Sequence, residues 1–192
     1  MTVSPMAELF YIALLHYPVY NKNGQVVATA VANMDVHDIA RAACTYGVER
    51  FYILTPIPAQ RELVTKILQH WQEGYGAHYN PGRREAFRNV CLLGSLEEAT
   101  EDIAAATGRS PKLVVTGANL PGARVTFADL RARIRDDSDP YLLVFGTGWG
   151  IAEEVLVRAD FALEPIKGIR DYNHLSVRSA VSVVLDRLRG RL

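Results

Sequence analysis

Short β-branched and aromatic runs alternate with longer segments of helical period along most of the chain, and this alternation constrains the fold more than any other feature. The strand-like runs are "LFYIALLHYPV", "RFYILTP", "RNVCLLG", "KLVVTGA", "YLLVFGT" and "FALEPI". Between and after them lie "DVHDIARAACTYG", "PAQRELVTKILQHWQ", "SLEEATEDIAAATG", "TFADLRARIR", "GIAEEVLVRA" and the closing "HLSVRSAVSVVLDRLRG". Strand and helix in turn imply an α/β fold, a mainly parallel sheet flanked by helices. The first run is apolar at nearly every position, as a strand covered on both faces must be.

Local signals sharpen the boundaries. Asp35 reads as an N-cap and Gly47 as a helix stop. Ser95 and Glu98 form a capping box before a helix that ends at Gly108, and Thr126 reads as a further cap. Asn23-Gly24 marks a turn tip. Leu63, Ile67 and Leu68 lie on one stripe of the second helix. "EGYGAHYNPGRREAF" shows no period and reads as the longest loop; it interleaves aromatic and basic residues as RNA stacking and phosphate contact would require.

The 192 residues suit one domain, 1–192, with no repeat or linker. Lys and Arg equal Asp and Glu at 21 each, so no global basic field advertises nucleic acid. Local patches at "PGRREAFR" and "DRLRGRL" remain candidates. Cys44 and Cys91 sit in apolar surroundings without metal-ligand spacing and read as buried free thiols of a reducing compartment. "MTVSPMAELF" has neither the basic start nor the cleavage-type end of a leader, and no apolar run has the length of a membrane span. A cytoplasmic protein with no metal site and no membrane partner is expected.

Three strand-end loops, "TGANLPG", "FGTGWG" and "PIKGIRDYN", follow one another late in the chain. Ligands gather at the carboxyl ends of parallel strands, so these loops are expected to line one site. Gly146, Gly148 and Gly150 give GxGxG rather than the GxGxxG of a dinucleotide fold, which would also have begun with this loop. Glu164 stands roughly where a ribose-binding acid would fall, but too little chain follows for the rest of a doubly wound sheet. A Rossmann-type nucleotide-binding protein therefore stays as an alternative.

The ending "YLLVFGTGWGIAEEV … LEPIKGIRDYNHLSVRSAVSVVLDRL", with "ALLHYPVYNKNGQVVATAV" and "DIARAACTYGVERFYILTP", resembles the SPOUT class of S-adenosylmethionine-dependent RNA methyltransferases. Within it, the chain is similar to a bacterial family related to the tRNA guanine-N1 methyltransferase. The resemblance implies a C-terminal deep trefoil knot, a homodimer, and tRNA or rRNA as substrate. It implies S-adenosyl-L-methionine held by Thr116, Gly117 and Ala118 in the first loop and by Phe145, Gly146, Gly148 and Gly150 in the second. The third loop would add Ile166, Gly168, Tyr172, Asn173, His174, Leu175 and Ser176. For catalysis it implies Arg178, Asp171, His174 and Arg41, acting on a base nitrogen or a ribose hydroxyl. Asp35 stands where the ribose enzymes carry Asn, and Ser176 and Arg178 stand where they carry Asn and Ser. A module that binds donor and RNA without catalysis is the second alternative.

Overall fold

The computed structural model describes residues 9–170 and 172–191. Its centre is β1 (Phe10–Leu15), buried at all six positions. It pairs in parallel with β4 (Arg50–Leu54) on one side and β7 (Tyr141–Gly146) on the other. β5 (Val90–Leu93) adds outside β4, β6 (Lys112–Thr116) beside β7, and β8 (Phe161–Ala162) outside β6, all in parallel. The order β5-β4-β1-β7-β6-β8 bears out the mainly parallel sheet. It also corrects the Rossmann alternative. In that fold the chain's fourth major strand neighbours its first, whereas here β7, the fifth, takes that place and β6 lies beyond it.

Strand side chains alternate between two packed layers. Phe10, Ile12, Leu14, Phe51, Ile53, Leu143 and Phe145 meet α1 (Asn33–Thr45), α2 (Pro58–Gln72), α4 (Pro81–Phe87), α6 (Phe127–Asp136) and α8 (Val177–Arg189). Tyr11, Ala13, Leu15, Tyr52, Leu54, Leu142 and Val144 meet α5 (Leu96–Thr107) and the single turn α7 (Glu153–Leu156). The expected helix "GIAEEVLVRA" shrinks to that turn, and "FALEPI" contributes only two residues of strand plus a bridge from Leu163 to Val125.

Several local expectations hold. Gly47 and Gly108 adopt φ of 66° and 74° just past their helices. Ser95 Oγ accepts from the Glu98 amide at 3.2 Å, while Glu98 reaches back to the Gly94 amide at 2.9 Å. Thr126 caps α6 by accepting from Asp129 N at 3.1 Å. Glu164 is a capping residue as well: its Oε1 accepts from Phe127 N at 2.8 Å, at the first turn of α6.

Others are corrected. The first strand stops at Leu15, and the chain turns back through a hairpin of β2 (Val19–Tyr20) and β3 (Val26–Val27), with Gly24 at φ 74° near its tip. The segment expected as the longest loop is mostly helix, α3 (Tyr75–Tyr79) and α4, because Asn80 accepts from Arg83 N and Pro81 occupies the first helical position. Leu63 is exposed; Val64 and Leu68 face the core. Cys44 is exposed because Val36, Ile39, Ala40 and Ala43 already form the buried stripe of α1 and Cys44 falls off its edge. Cys91 is only half-buried because β5 is an edge strand. Among the described residues no helix is long and apolar enough to cross a membrane, and no metal-type cluster occurs.

Candidate functional site

β7, β6 and β8 lie side by side and parallel, so the three loops leave adjacent strands at one end of the sheet. Thr116 and Phe145 are register partners, and Thr116 Oγ1 donates to Val144 O at 2.9 Å, which ties the first two loops at their roots. The amides of Gly117, Ala118 and Asn119 donate to no described acceptor. A Cβ on Gly117 would lie 3.0 Å from the Leu120 side chain, which folds back over the turn.

The second loop is built differently. It is fastened to the β2–β3 hairpin: Trp149 N donates to Tyr20 O at 2.9 Å, Tyr20 N to Gly150 O at 2.8 Å and Ala152 N to Pro18 O at 3.2 Å. Gly148 has φ 62°, and a Cβ there would come 2.8 Å from Tyr20 O. A Cβ on Gly146 would lie 2.6 Å from Ile151 Cγ1. These two glycines are required by the fold before any ligand is considered. Gly150, at φ 117°, has open space where a side chain would start.

Below this loop runs a polar chain that no motif announced. Thr147 Oγ1 donates to Leu15 O at 3.0 Å and shares a 2.5 Å hydrogen bond with Thr29 Oγ1, which lies 2.9 Å from His16 Nδ1. Thr29 Oγ1 also lies 3.5 Å from His16 O, so the two hydroxyls, the imidazole and two backbone carbonyls form one continuous polar chain. His16 Nε2 is buried without a partner among the described residues, and burial lowers the His16 pKa to about 4. The only sequence signal was a histidine directly after a buried apolar run.

The third loop is open. Ile166 packs against the core, but Gly168, Ile169, Tyr172, His174 and Leu175 are exposed, Ile169 and Tyr172 conspicuously so. Tyr172 meets His174 edge-on at 5.5 Å. The amides of Lys167, Gly168, Ile169, Tyr172, Asn173 and His174 donate to no described acceptor, while Leu175 N donates to Asn173 O at 3.2 Å. Asp171 lies outside the described residues. Ser176 is not a free ligand group: it caps α8, accepting from Ser179 N at 3.4 Å.

At the start of α8, Arg178 Nη1 donates to Asp35 Oδ1 at 3.1 Å, and Nε lies 3.5 Å from Asp38 Oδ2. Asp35 was expected as the cap of α1. That helix instead begins at Asn33 with Ala32 at the cap position, and Asp35, buried in the first turn, anchors Arg178. Arg178 Nη2 has no partner among the described residues. The structure thus holds Arg178 against the first turn of α1, with the paired Tyr172 and His174 just before it in the chain. Arg41 lies further along α1, exposed, and helical periodicity sets it between Asp38 and His37 rather than against Arg178. A cavity of about 590 Å³ occurs elsewhere, at the β8 edge, lined by Arg124, Asp129, Arg133, Asp160 and Phe161; it holds none of the expected site residues.

The amides of the first and third loops that meet no described acceptor are hydrogen-bond donors open to a ligand. Residues 9–190 match the model of a family described as SAM-dependent RNA methyltransferase, and the chain belongs to that family. A tRNA (guanine-N(1)-)-methyltransferase of Oleidesulfovibrio alaskensis is 45% identical over 180 residues, covering 94% of this chain and 42% of that relative. The chain thus spans about two-fifths of its length. An uncharacterized protein of Aquifex aeolicus is 43% identical over 184 residues, 96% of this chain and 90% of its own. The solved structure of a probable methylase family protein from Haemophilus influenzae Rd KW20 superposes with a TM-score of 0.63 at 19% identity, covering 96% of this chain and 66% of that one, and so shares the fold.

Proposed function

We propose that this chain transfers a methyl group from S-adenosyl-L-methionine to a ring nitrogen of a tRNA or rRNA base. The observation that carries the reading is the clasp of Arg178 by Asp35 and Asp38, which sets a guanidinium beside the open, amide-rich third loop. Asp35 is engaged as a carboxylate anchor, so the position at which ribose methyltransferases carry Asn is committed to another task. That favours a base nitrogen over a ribose hydroxyl. The guanine-N1 activity in the relative's name attaches to a protein more than twice as long, so guanine is one candidate base.

The bound donor supplies an electrophilic methyl carbon on a sulfonium sulfur. The chain must hold the acceptor nitrogen in line with that carbon, take its proton and keep water out. His174 and Asp171 are the groups we assign to the proton, and Arg178 Nη2 to the charge that develops on the base. Gly168, with nothing nearer than 4.0 Å where a side chain would start, lets the backbone approach the donor closely.

We further propose a trefoil knot and a homodimer. The knot is supported by α8 returning to pack on α1 and α6, with Arg131 donating to Arg187 O and Gly190 O at 3.1 and 2.6 Å. The apolar stripe of α8 (Val181, Val184, Leu185 and Leu188) is occupied by the chain's own core. Support for a second copy comes instead from Trp149, Ile169, Tyr172 and Leu175, all exposed around the loops. Free thiols at Cys44 and Cys91 support a cytoplasmic setting.

Calorimetry with S-adenosylmethionine, S-adenosylhomocysteine and NAD tests the ligand class: the two methyl-cycle compounds bind and NAD does not. Labelled donor is then incubated with RNA from a strain lacking the protein, and the product nucleoside is mapped by mass spectrometry. A 2′-O-methyl product would overturn the base-nitrogen assignment, and no label above background would leave a binding module.

A further inference from the structure

The face formed by α3 and α4 carries none of the residues assigned to the donor, yet it is built at odds with a solvent surface. Gly76 and Ala77 of α3 are buried against α2, where a Cβ on Gly76 would lie 2.6 Å from His70 Nε2 and 2.9 Å from Trp71 Cε3. The small residues thus take the inside, and the two large ones are left outside. Tyr75 and Tyr79 are 75% and 76% exposed, and their rings stack at 5.9 Å and 19°. Nothing in the fold is gained by holding two aromatic faces in water.

Arginines adjoin this pair. Residues 81–88 carry Arg83, Arg84 and Arg88 against one acid, Glu85, which borders the small cavity beside Cys44. Arg83 lies over the Trp71 ring at 5.0 Å, and its Nη1 donates to His37 Nδ1 at 2.6 Å. Burial and the Arg83 charge lower the His37 pKa, in keeping with a ring that accepts this bond. Among the described residues no carboxylate lies within 4 Å of Arg41, Arg83, Arg84 or Arg88. In a chain of zero net charge, this is a local excess of unneutralised guanidinium.

α1 joins this face to the site. His37 meets Arg83, Trp71 and Phe87, while Asp35 and Asp38, within the same turn, hold Arg178. Arg41 lies between the two sides on the helix. We infer that the α3–α4 face is a docking surface for single-stranded RNA, with bases stacking on Tyr75 and Tyr79, phosphates meeting Arg84, Arg88 and Arg41, and the strand leading across α1 to the site. Unpaired bases are required because a duplex hides the faces that an aromatic platform would stack on. The inference rests on the RNA methyltransferase reading and adds to it where the substrate is gripped.

The test measures two affinities on the intact protein: S-adenosylhomocysteine by calorimetry, and a fluorescein-labelled single-stranded oligoribonucleotide, beside its duplex, by anisotropy. Y75A/Y79A weakens binding of the single strand by about tenfold or more, Y75F/Y79F restores it, and both keep donor-product affinity and melting temperature. R84Q/R88Q lowers the slope of log affinity against log salt by about 0.7 for each arginine. Wild-type RNA affinity in Y75A/Y79A, preference for the duplex, or no RNA binding by a wild-type protein that binds S-adenosylhomocysteine overturns the surface and leaves the donor site standing. Loss of a co-purifying protein in Y75A/Y79A with RNA affinity unchanged would assign the face to a protein partner instead. Failure of S-adenosylhomocysteine to bind would strike the underlying reading.

Discussion

The loop around Gly146–Gly150 and the segment 165–176 leave the same end of one sheet, and both were expected to hold the same ligand. They are built on opposite terms. The first ties Trp149 N and Gly150 O to the β2–β3 hairpin and Thr147 N to Leu15 O, requires glycine at 146 and 148 on steric grounds alone, and rests on the His16–Thr29–Thr147 chain. In the second, the amides of Lys167, Gly168, Ile169, Tyr172, Asn173 and His174 meet no described acceptor, Ile169, Tyr172 and His174 are exposed, and Arg178 anchors the far end. A glycine turn can therefore be a piece of scaffold, while a loop with few described internal bonds has more groups open to a ligand.

The contrast breaks or sharpens under four substitutions. Arg178→Ala carries the largest effect: labelled-methyl transfer falls by roughly a hundredfold to a thousandfold while donor affinity stays within a few-fold. Transfer at the wild-type rate would remove the third loop's anchor from the chemistry. His16 gives the next largest effect, through pH. Its folded pKa, about 4, is below the ordinary value of 6.5, so below pH 6.5 the unfolded chain takes up a proton that the folded chain refuses. Stability is full above that pH and falls towards pH 4, by up to about 3 kcal/mol. Urea unfolding of His16→Gln should show this part of the slope gone; an unchanged slope would show that the histidine is not held neutral under the second loop.

Gly148→Ala comes third, destabilising by about 2 kcal/mol through strain at positive φ and the clash with Tyr20 O. Thermal unfolding reads it, and a variant as stable as wild type would end the scaffold reading of that loop. Gly168→Ala is the smallest. A Cβ there meets nothing nearer than 4.0 Å, so stability changes by less than about 0.5 kcal/mol and any loss shows in donor affinity alone. A large drop in its melting temperature would erase the difference between the two loops.

Much of this was legible in the residues. Gly47, Gly108, Ser95 and Thr126 act within one or two turns of themselves, so their roles follow from local chemistry. Asp35 did not, because a carboxylate at a helix start looks like a cap whether or not an arginine 143 positions later comes to meet it. "YGAHYNPGRR" lacked a period because two short helices with a break at Asn80 never complete one. Gly146, Gly148 and Gly150 were visible as a turn, but the partner that makes Gly148 obligatory is Tyr20 O of a hairpin far earlier in the chain, whose strands of two residues are too short to announce themselves.

By itself the sequence determined the α/β class, the mainly parallel sheet, the positions of most helices and the late cluster of loops, because hydrophobic period and turn chemistry are properties of neighbours in the chain. Tertiary structure alone decided that β7 lies beside β1, that Arg178 is held by α1, that His16 Nε2 is buried with no partner among the described residues, and that Tyr75 and Tyr79 face outward. Each of these is a meeting of segments far apart in sequence, set by which faces must be buried together, and no local pattern records it.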